Sequence, residues 1–502
     1  MSESIWIATS AEQKFPSLSG DMETDVAIVG GGISGVVAAY LLARDGRRVV
    51  LVEARGIGAG ETGHTTAHLT EQIDARYAAI AREEGRDAAL LVARASRRAI
   101  DAIASIATRE RIDCSFEVVP GFLYTENEEE ADDLRREADA ARAAGVAATF
   151  TTEVPLPFRA AGAVRLDRQA QFHPLRFLRA LATATAREGA TLLEQTRAIE
   201  VEDGEPAIVR TARGTIRARD VLVCANVPVN QRGVLQTKLP AARSYAVAGR
   251  PTIAIEKALF WDTEDPYHYV RTWTSGTDTW VIAGGEDHRT GIEVDTREKV
   301  AAISRWVESK FGVRRIEHHW SGQIIEPPDG LPYIGRVPLT GHVWVATGYS
   351  GQGMTFGTFS ALMLADLLAG RDSEWRELFA PARIPSLESV PEYVRENVEY
   401  PKRLALDRLT RAGVERGGLE AIAKGEGKIV EIEGEKLAAS RTASGELRLL
   451  TAVCPHLGCD VRWNAAEQSW DCPCHGSRFD ADGSLLNGPA SAPLRKIDLV
   501  GE

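Results

Sequence analysis

Asp25-Val26-Ala27-Ile28-Val29-Gly30-Gly31-Gly32-Ile33-Ser34-Gly35 is the stretch on which the first part of the fold turns. A short apolar run enters a glycine turn, and a helical pattern follows to Arg44, where Gly46 stops it. A second apolar run from Val49 ends in Glu53, 18 positions after Gly35. This is a βαβ unit with Gly-x-Gly-x-x-Gly spacing. Gly30 permits the tight turn, Gly32 lets the backbone approach a pyrophosphate, and Gly35 lets helix and strand pack closely. Glu53 is placed to bind a ribose hydroxyl. A purely structural glycine turn is the alternative, but strand, helix, second strand and terminal acid agree on dinucleotide binding.

Outward from that unit, residues 55–67 form a glycine-rich polar loop whose N–H groups and hydroxyls suit a flat, polar cofactor. Helical spacing at 77–109 and 128–144, strand-like runs at 118–125 and 163–166, and a helix opened by Pro174 predict an α/β core with a sheet-rich insertion. From 239 to 311 alternating runs at 245–247, 267–273 and 280–283 predict an antiparallel sheet, rich in aromatic residues able to line a pocket. A strand at 343–346, a glycine turn and a helix to about Leu368 then present a second helix N-terminus to the cofactor. Residues 4–21 read as an irregular arm anchored by Trp6 and Phe15. Residues 371–417, with four prolines and an amphipathic helix candidate at 393–409, read as a linker packed on the first body.

The last part of the chain runs in short alternating stretches around Cys454-Pro455-His456-Leu457-Gly458-Cys459 and Cys472-Pro473-Cys474-His475-Gly476-Ser477. Each loop offers one thiolate and one imidazole, which suits a [2Fe-2S] cluster with two Cys on one iron and two His on the other. Cys454, His456, Cys472 and His475 are the expected ligands. A Cys2His2 zinc site is the alternative. Cys459 and Cys474 occupy matching places in the two loops and could be joined by a disulfide. Cys114 and Cys224, in apolar contexts, read as core thiols.

Length and charge bound the rest. The 502 residues exceed one ordinary domain, and a net charge of -12 makes nucleic acid an improbable partner. With no basic start followed by an apolar core and no long apolar run, the chain reads as cytoplasmic, with no membrane span.

The front of the chain resembles the FAD-dependent D-amino-acid oxidase and glycine oxidase superfamily. The resemblance is carried by the 25–35 stretch, Val50-Leu51-Val52-Glu53-Ala54, Asp329-Gly330-Leu331-Pro332-Tyr333-Ile334-Gly335 and Ala346-Thr347-Gly348-Tyr349-Ser350-Gly351-Gln352-Gly353-Met354. The back resembles the Rieske domain of quinol-oxidising complexes, because oxygenase-type Rieske domains lack the Cys459 and Cys474 pair. The combination resembles bacterial glycine/D-amino-acid dehydrogenase-like flavoproteins with a C-terminal Rieske domain. It implies an α/β FAD-binding domain (Rossmann-like, glutathione-reductase type), an antiparallel-sheet substrate domain and a small all-β Rieske domain. The expected division is 1–23 N-terminal arm, 24–238 and 318–370 FAD-binding domain with insertions near 101–160, 239–317 substrate sheet, 371–417 linker and 418–502 Rieske domain.

The same resemblance implies FAD on Gly30, Gly32, Ser34, Gly35, Glu53, Ala54, Thr62, Gly63, His64, Thr65 and Thr66, with Gly348, Ser350, Gly351, Gln352, Gly353 and Met354 along the ring. In related dehydrogenases a His in a Trp-His-Ala-Ala-Gly context holds the flavin covalently. Gly63-His64-Thr65-Thr66-Ala67 departs from that context, so a covalent bond and a polar contact both stay open. The implied activity is oxidation of a C–N bond in an amine or amino acid, with electrons passing singly from FAD to the cluster and on to an external acceptor. Candidate pocket residues are Tyr245, Tyr267, His268, Arg271, Trp273 and His288, with Arg271 a possible carboxylate clamp. A redox-sensing or electron-transfer protein without amine turnover, and a demethylating or monooxygenase-like enzyme fed by the cluster, are the competing readings.

Overall fold

The computed structural model describes residues 3–229, 235, 238–292, 295–384, 415–416 and 418–497. At its centre the strands Met22–Val29 and Val49–Val52 pair in parallel, flanked in parallel by Gly214–Val223, Val343–Thr347 and Thr191–Leu193. Tyr333–Arg336 closes one edge antiparallel. Parallel strands buried on both faces read as continuous apolar runs, and Val49–Val52 is buried throughout. The helices Ile33–Arg44 and Gly353–Leu368 pack against each other beneath this sheet and are buried on nearly every side. Both glycine turns therefore aim a helix N-terminus at the same space.

A second sheet runs, in order, through Ile316–Ile325, Ala241–Gly249, Asp278–Arg289, His268–Ser275, Leu259–Trp261, Glu117–Thr125, Gly162–Gln171 and His68–Leu69. The expected insertion near 101–160 is thus no appendage of the FAD-binding part. Its strands Glu117–Thr125 and Ala148–Thr151 join the substrate sheet, the first pairing in parallel with Leu259–Trp261 across a long sequence gap. Local alternation gives strand and face but not the distant partner, and the junction rests on that partner. The helix Thr296–Phe311 covers the outer face of this sheet with Ile303, Val307 and Phe311.

Two further expectations change in detail. The helical stretch at 77–109 is two helices, Tyr77–Glu83 and Arg86–Glu110, separated at Gly85, whose φ of +95° an L side chain rarely adopts. The N-terminal arm is not irregular throughout: Ile5–Ala8 is a helical turn capped by the Ser4 side chain. Trp6 is its anchor, fully buried, with Nε1 donating to the Thr65 carbonyl at 2.6 Å. Ser4 Oγ donates to the Gly63 carbonyl at 2.6 Å, so the arm braces the polar loop from behind.

Of the linker, 371–384 packs on the first body through Phe379, Trp375 and an Arg383–Asp329 ion pair at 2.7 Å. The helix candidate at 393–409 lies outside the described residues. The C-terminal part consists of two small sheets: in one, Gly427–Ile432 pairs antiparallel with Glu435–Arg441, which pairs antiparallel with Leu447–Thr451, while Glu415–Arg416 adds to the edge in parallel; the other is antiparallel and runs Arg462–Asn464, Ser469–Asp471, Arg478–Asp480, Leu485–Asn487. The first cysteine loop joins Leu447–Thr451 of one sheet to Arg462–Asn464 of the other, and the second joins Ser469–Asp471 to Arg478–Asp480. No helix among the described residues is long and apolar enough to cross a membrane.

Candidate active site and metal centre

The two glycine turns open on one elongated cavity of about 310 Å³. At Gly30, φ is +113° and a Cβ would lie 2.5 Å from the Cys224 carbonyl; at Gly35 it would lie 1.9 Å from the Gly30 carbonyl. Only glycine fits either place. The helix Ile33–Arg44 has Gly32 as N-cap with no side-chain cap, leaving its N-terminus facing the cavity. A helix start in that position favours an anion such as a pyrophosphate. Thr62 Oγ1 takes the Ile33 N–H at 3.0 Å and so fixes the polar loop to the helix start.

Glu53 uses its carboxylate to accept the N–H groups of Gly31 at 2.7 Å and Arg55 at 2.9 Å, which holds the acid over the turn where a ribose would lie. Ala54, Arg55 and Arg197 complete this end. At the other end stand His64, Thr65, Thr66, Ser350, Gly351, Gln352 and Met354, the residues expected along a flavin ring. Burial lowers the His64 pKa, and its Nδ1 lies 2.8 Å from the Gly60 carbonyl, so the ring is fixed as a neutral imidazole. Gly35, Gly63 and Gly348 shape the backbone without lining the cavity. Gly348 has φ +74° and stands against Pro327. These features fit an FAD.

The cysteine loops also fit their group. Cys459 and Cys474 form a disulfide across the two loops, and Cys454 and Cys472 are free and buried. Their sulfurs are within hydrogen-bonding reach, which drives the Cys454 thiol down and the Cys472 thiol up. Amides of His456 and Leu457 point at the first sulfur, and those of Cys474 and His475 at the second. The His456 and His475 rings stand 4.9 Å apart at 90°. Burial holds His475 down to about 4, leaving a neutral imidazole, the form that binds metal. With Cys459 and Cys474 spent in the bridge, two thiolates and two imidazoles remain to converge.

The two sites meet. Gln323, on a strand that walls the flavin cavity, donates from Nε2 to the Gly476 carbonyl at 2.7 Å, one residue from His475. Gly476 has φ +74°, and a Cβ there would lie 2.3 Å from that of Ala241. Asn487 donates to Glu61 Oε1 at 2.9 Å, and Leu486 to Ser491 contribute to the cavity wall. Beneath this contact Arg243 is buried against Glu467 at 2.8 Å; Glu467 also meets Arg478, which reaches Asp471 at 3.0 Å.

Of the residues expected to bind substrate, Tyr267 lines the cavity. Arg271 does not: it is fully buried behind the polar loop, donates to the Ala67 and Phe172 carbonyls at 2.7 and 3.1 Å, and lies over Trp6. The expected carboxylate clamp is therefore a structural strut. His268 points to the other face of the sheet, 2.9 Å from Asp262 and stacked on Trp306. Tyr245 stacks on His288 and receives the Asn464 amide at 3.4 Å, at the contact with the cysteine-loop sheets. Trp273 packs on Trp6 and His173. Sequence reasoning missed Asp74, Tyr269, Gln323 and the 486–491 segment. Isolated residues of this kind have no periodic or spacing signal.

Comparisons with known proteins agree with this division. The family model for FAD dependent oxidoreductase (DAO) matches residues 25–367, and that for the Rieske [2Fe-2S] domain matches residues 417–498. A putative Rieske 2Fe-2S iron-sulfur protein, YhfW, of Bacillus subtilis is 34% identical over 99% of this chain and 98% of its own. Gamma-glutamylputrescine oxidoreductase of Escherichia coli is 25% identical over 75% of this chain and 91% of its own. Among solved structures, glycine oxidase from Geobacillus kaustophilus superposes with a TM-score of 0.62 at 22% identity, covering 72% of this chain and 99% of that one.

Proposed function

The chain belongs to the DAO family of FAD-dependent oxidoreductases and ends in a Rieske [2Fe-2S] domain, and from that premise we propose that it is an amine or amino-acid dehydrogenase. In this reading the substrate loses two electrons and two protons across a C–N bond, water hydrolyses the resulting imine, and the electrons leave one at a time through the cluster to an external acceptor. The flavin supplies the two-electron oxidation and the cluster the single-electron steps.

The chain's own residues have distinct tasks. The Gly30 turn and the start of Ile33–Arg44 hold the pyrophosphate, Glu53 the ribose, and the loops carrying His64 to Thr66 and Ser350 to Met354 the ring. Cys454 and Cys472, as thiolates, and His456 and His475, as neutral imidazoles, would hold the cluster. The observation that carries the reading is the Gln323–Gly476 hydrogen bond, 2.7 Å long, which joins the wall of the flavin cavity to the loop of a cluster ligand. A histidine-ligated cluster has a raised potential and accepts electrons singly, so its place beside the cavity favours a dehydrogenase over an oxygen-using oxidase.

Rapid anaerobic mixing of the holoprotein with amines, N-methyl amino acids and D-amino acids tests this. Bleaching of the flavin followed by loss of the oxidised cluster spectrum is the expected result. A bleached flavin beside a cluster that stays oxidised sinks the relay, and no bleaching by any substrate favours the redox-sensing reading. The proposal includes a cytoplasmic location, which cell fractionation with detection of the native protein checks.

A further inference from the structure

A stretch of the Rieske domain stands in the wall of the flavin cavity. Leu486 to Ser491 line it together with the glycine turn and Glu53, although the match to the FAD-dependent family ends at residue 367. Three hydrogen bonds hold this stretch in place. Arg197 donates from Nη2 to the Leu485 carbonyl at 3.1 Å, Asn487 donates from Nδ2 to Glu61 Oε1 at 2.9 Å, and the Ala490 N–H donates to Ser477 Oγ at 3.0 Å. The Asn487 amide is fixed from its other side as well, because its Oδ1 accepts Arg478 Nη1 at 3.3 Å. Arg478 is the buried cation that Glu467 and Asp471 hold, so the stretch is tied to the ionic network at the docking contact.

The anchors fix which half of the cavity the stretch crosses. Arg197 stands at the ribose end, with Glu53 and Arg55. Glu61 directly precedes Thr62, whose hydroxyl takes the Ile33 N–H at the start of the helix that favours a pyrophosphate. On a third wall element, the Val227 carbonyl lies 3.9 Å from where a Gly488 Cβ would stand. The stretch therefore bridges three separate pieces of the front part across the ribose and pyrophosphate positions. Charge agrees with this placement. Burial lowers the pKa of the half-buried Arg197, Arg55 lowers it further, and Glu53 acts against both. Two guanidiniums beside one carboxylate leave positive charge at this end, which the phosphates of a dinucleotide neutralise.

We propose that Leu486 to Ser491 is an FAD-binding element supplied by the Rieske domain: it closes over the ribose and pyrophosphate, and the cofactor leaves only when that domain lifts from the flavin part. This rests on the reading that the cavity holds FAD, and not on which substrate is oxidised. Linkage between two binding events is reciprocal, so FAD in turn holds the Rieske domain in its docked place. A chain without FAD docks its cluster domain more weakly, and the cluster is kept beside the cavity when there is a flavin to reduce it.

Two measurements on the full-length protein test this. In the first, FAD release from the holoprotein is followed by the rise in flavin fluorescence on dilution, with the cluster spectrum recorded alongside. Asn487→Ala frees the stretch from Glu61 without touching a cluster ligand, and is expected to speed release by about tenfold or more with the cluster spectrum unchanged. Arg197→Ala, which frees Leu485, should do the same. The second needs no variant: hydrogen–deuterium exchange of the 486–491 amides is compared in the parent chain with FAD bound and with FAD stripped. Slower exchange with FAD bound is the expected result. A release rate unchanged in both variants overturns the proposal. So does equal exchange in the two forms, which would mean that Asn487 acts only by bracing the Glu61 loop. The dehydrogenase reading stands or falls separately: it survives either failure if amines still bleach the flavin, whereas a flavin that no amine bleaches leaves FAD release and exchange as predicted.

Discussion

Glu467 ties together the two buried guanidiniums of Arg243 and Arg478. Burial raises its carboxyl, but the two arginines lower it more, to about 2 from an ordinary 4.5. A carboxyl depressed on folding contributes stability that is fully present above the unfolded value and is lost as pH falls toward the folded one. Glu467→Gln is therefore expected to destabilise the protein at neutral pH by about 3–5 kcal/mol, since Arg243 loses its ion-pair partner. Thermal melts between about pH 6 and about pH 3 should fall less steeply for the variant than for the parent. At this scale the sequence is legible only where geometry demands one residue type. Gly30 and Gly35 announce themselves because no other side chain fits, whereas Arg271 misleads. Alternation along His268–Ser275 puts Tyr267, Tyr269 and Arg271 on one face, but not which of them reaches the cavity and which ends beneath the 55–67 loop.

The helical turn Ile5–Ala8 shows an element acting on a site that it does not touch. Trp6 is fully buried and holds the Thr65 carbonyl, and Ser4 holds that of Gly63. Trp6→Ala should cost about 3–5 kcal/mol through the cavity it leaves, and should loosen the loop that carries His64 to Thr66. The expected readouts are a lower melting temperature and faster loss of FAD on dilution, measured by flavin fluorescence. Strand, turn and helix around Asp25 to Glu53 were legible because each local signal points the same way. The partner of Glu117–Thr125 was not, because parallel pairing with Leu259–Trp261 is decided by the tertiary fold and leaves no local mark.

For the whole molecule, the docking of the Rieske domain decides the outcome. Gly291, just after the strand Asp278–Arg289, has φ +72°, and a Cβ there would stand 2.8 Å from the Pro473 nitrogen and 2.9 Å from the Asp471 carbonyl. Gly291→Ala should push the cluster loop away without altering a ligand. Reduction of the cluster by substrate should slow by about tenfold or more, while its spectrum and the rate of flavin bleaching stay as in the parent. An unchanged rate of cluster reduction would remove the contact from the electron path. That the chain holds a flavin part and a cluster part is written in its two sets of spaced residues; that they touch through Gln323, Glu61 and Asn487 is not, since each is a single polar residue in an unremarkable setting.

The Glu61 carboxylate carries a consequence for how the protein is made. It takes the Gln323 backbone N–H from a strand synthesised much later, and the Asn487 side chain from 426 positions further along the chain than itself. The wall of the cofactor cavity is complete only after residues 486–491 have been made, so the glycine turn at Gly30 waits in an unfinished pocket until then. Docking of the C-terminal domain is thus the step that closes the flavin cavity, and folding of the front part alone leaves that wall open.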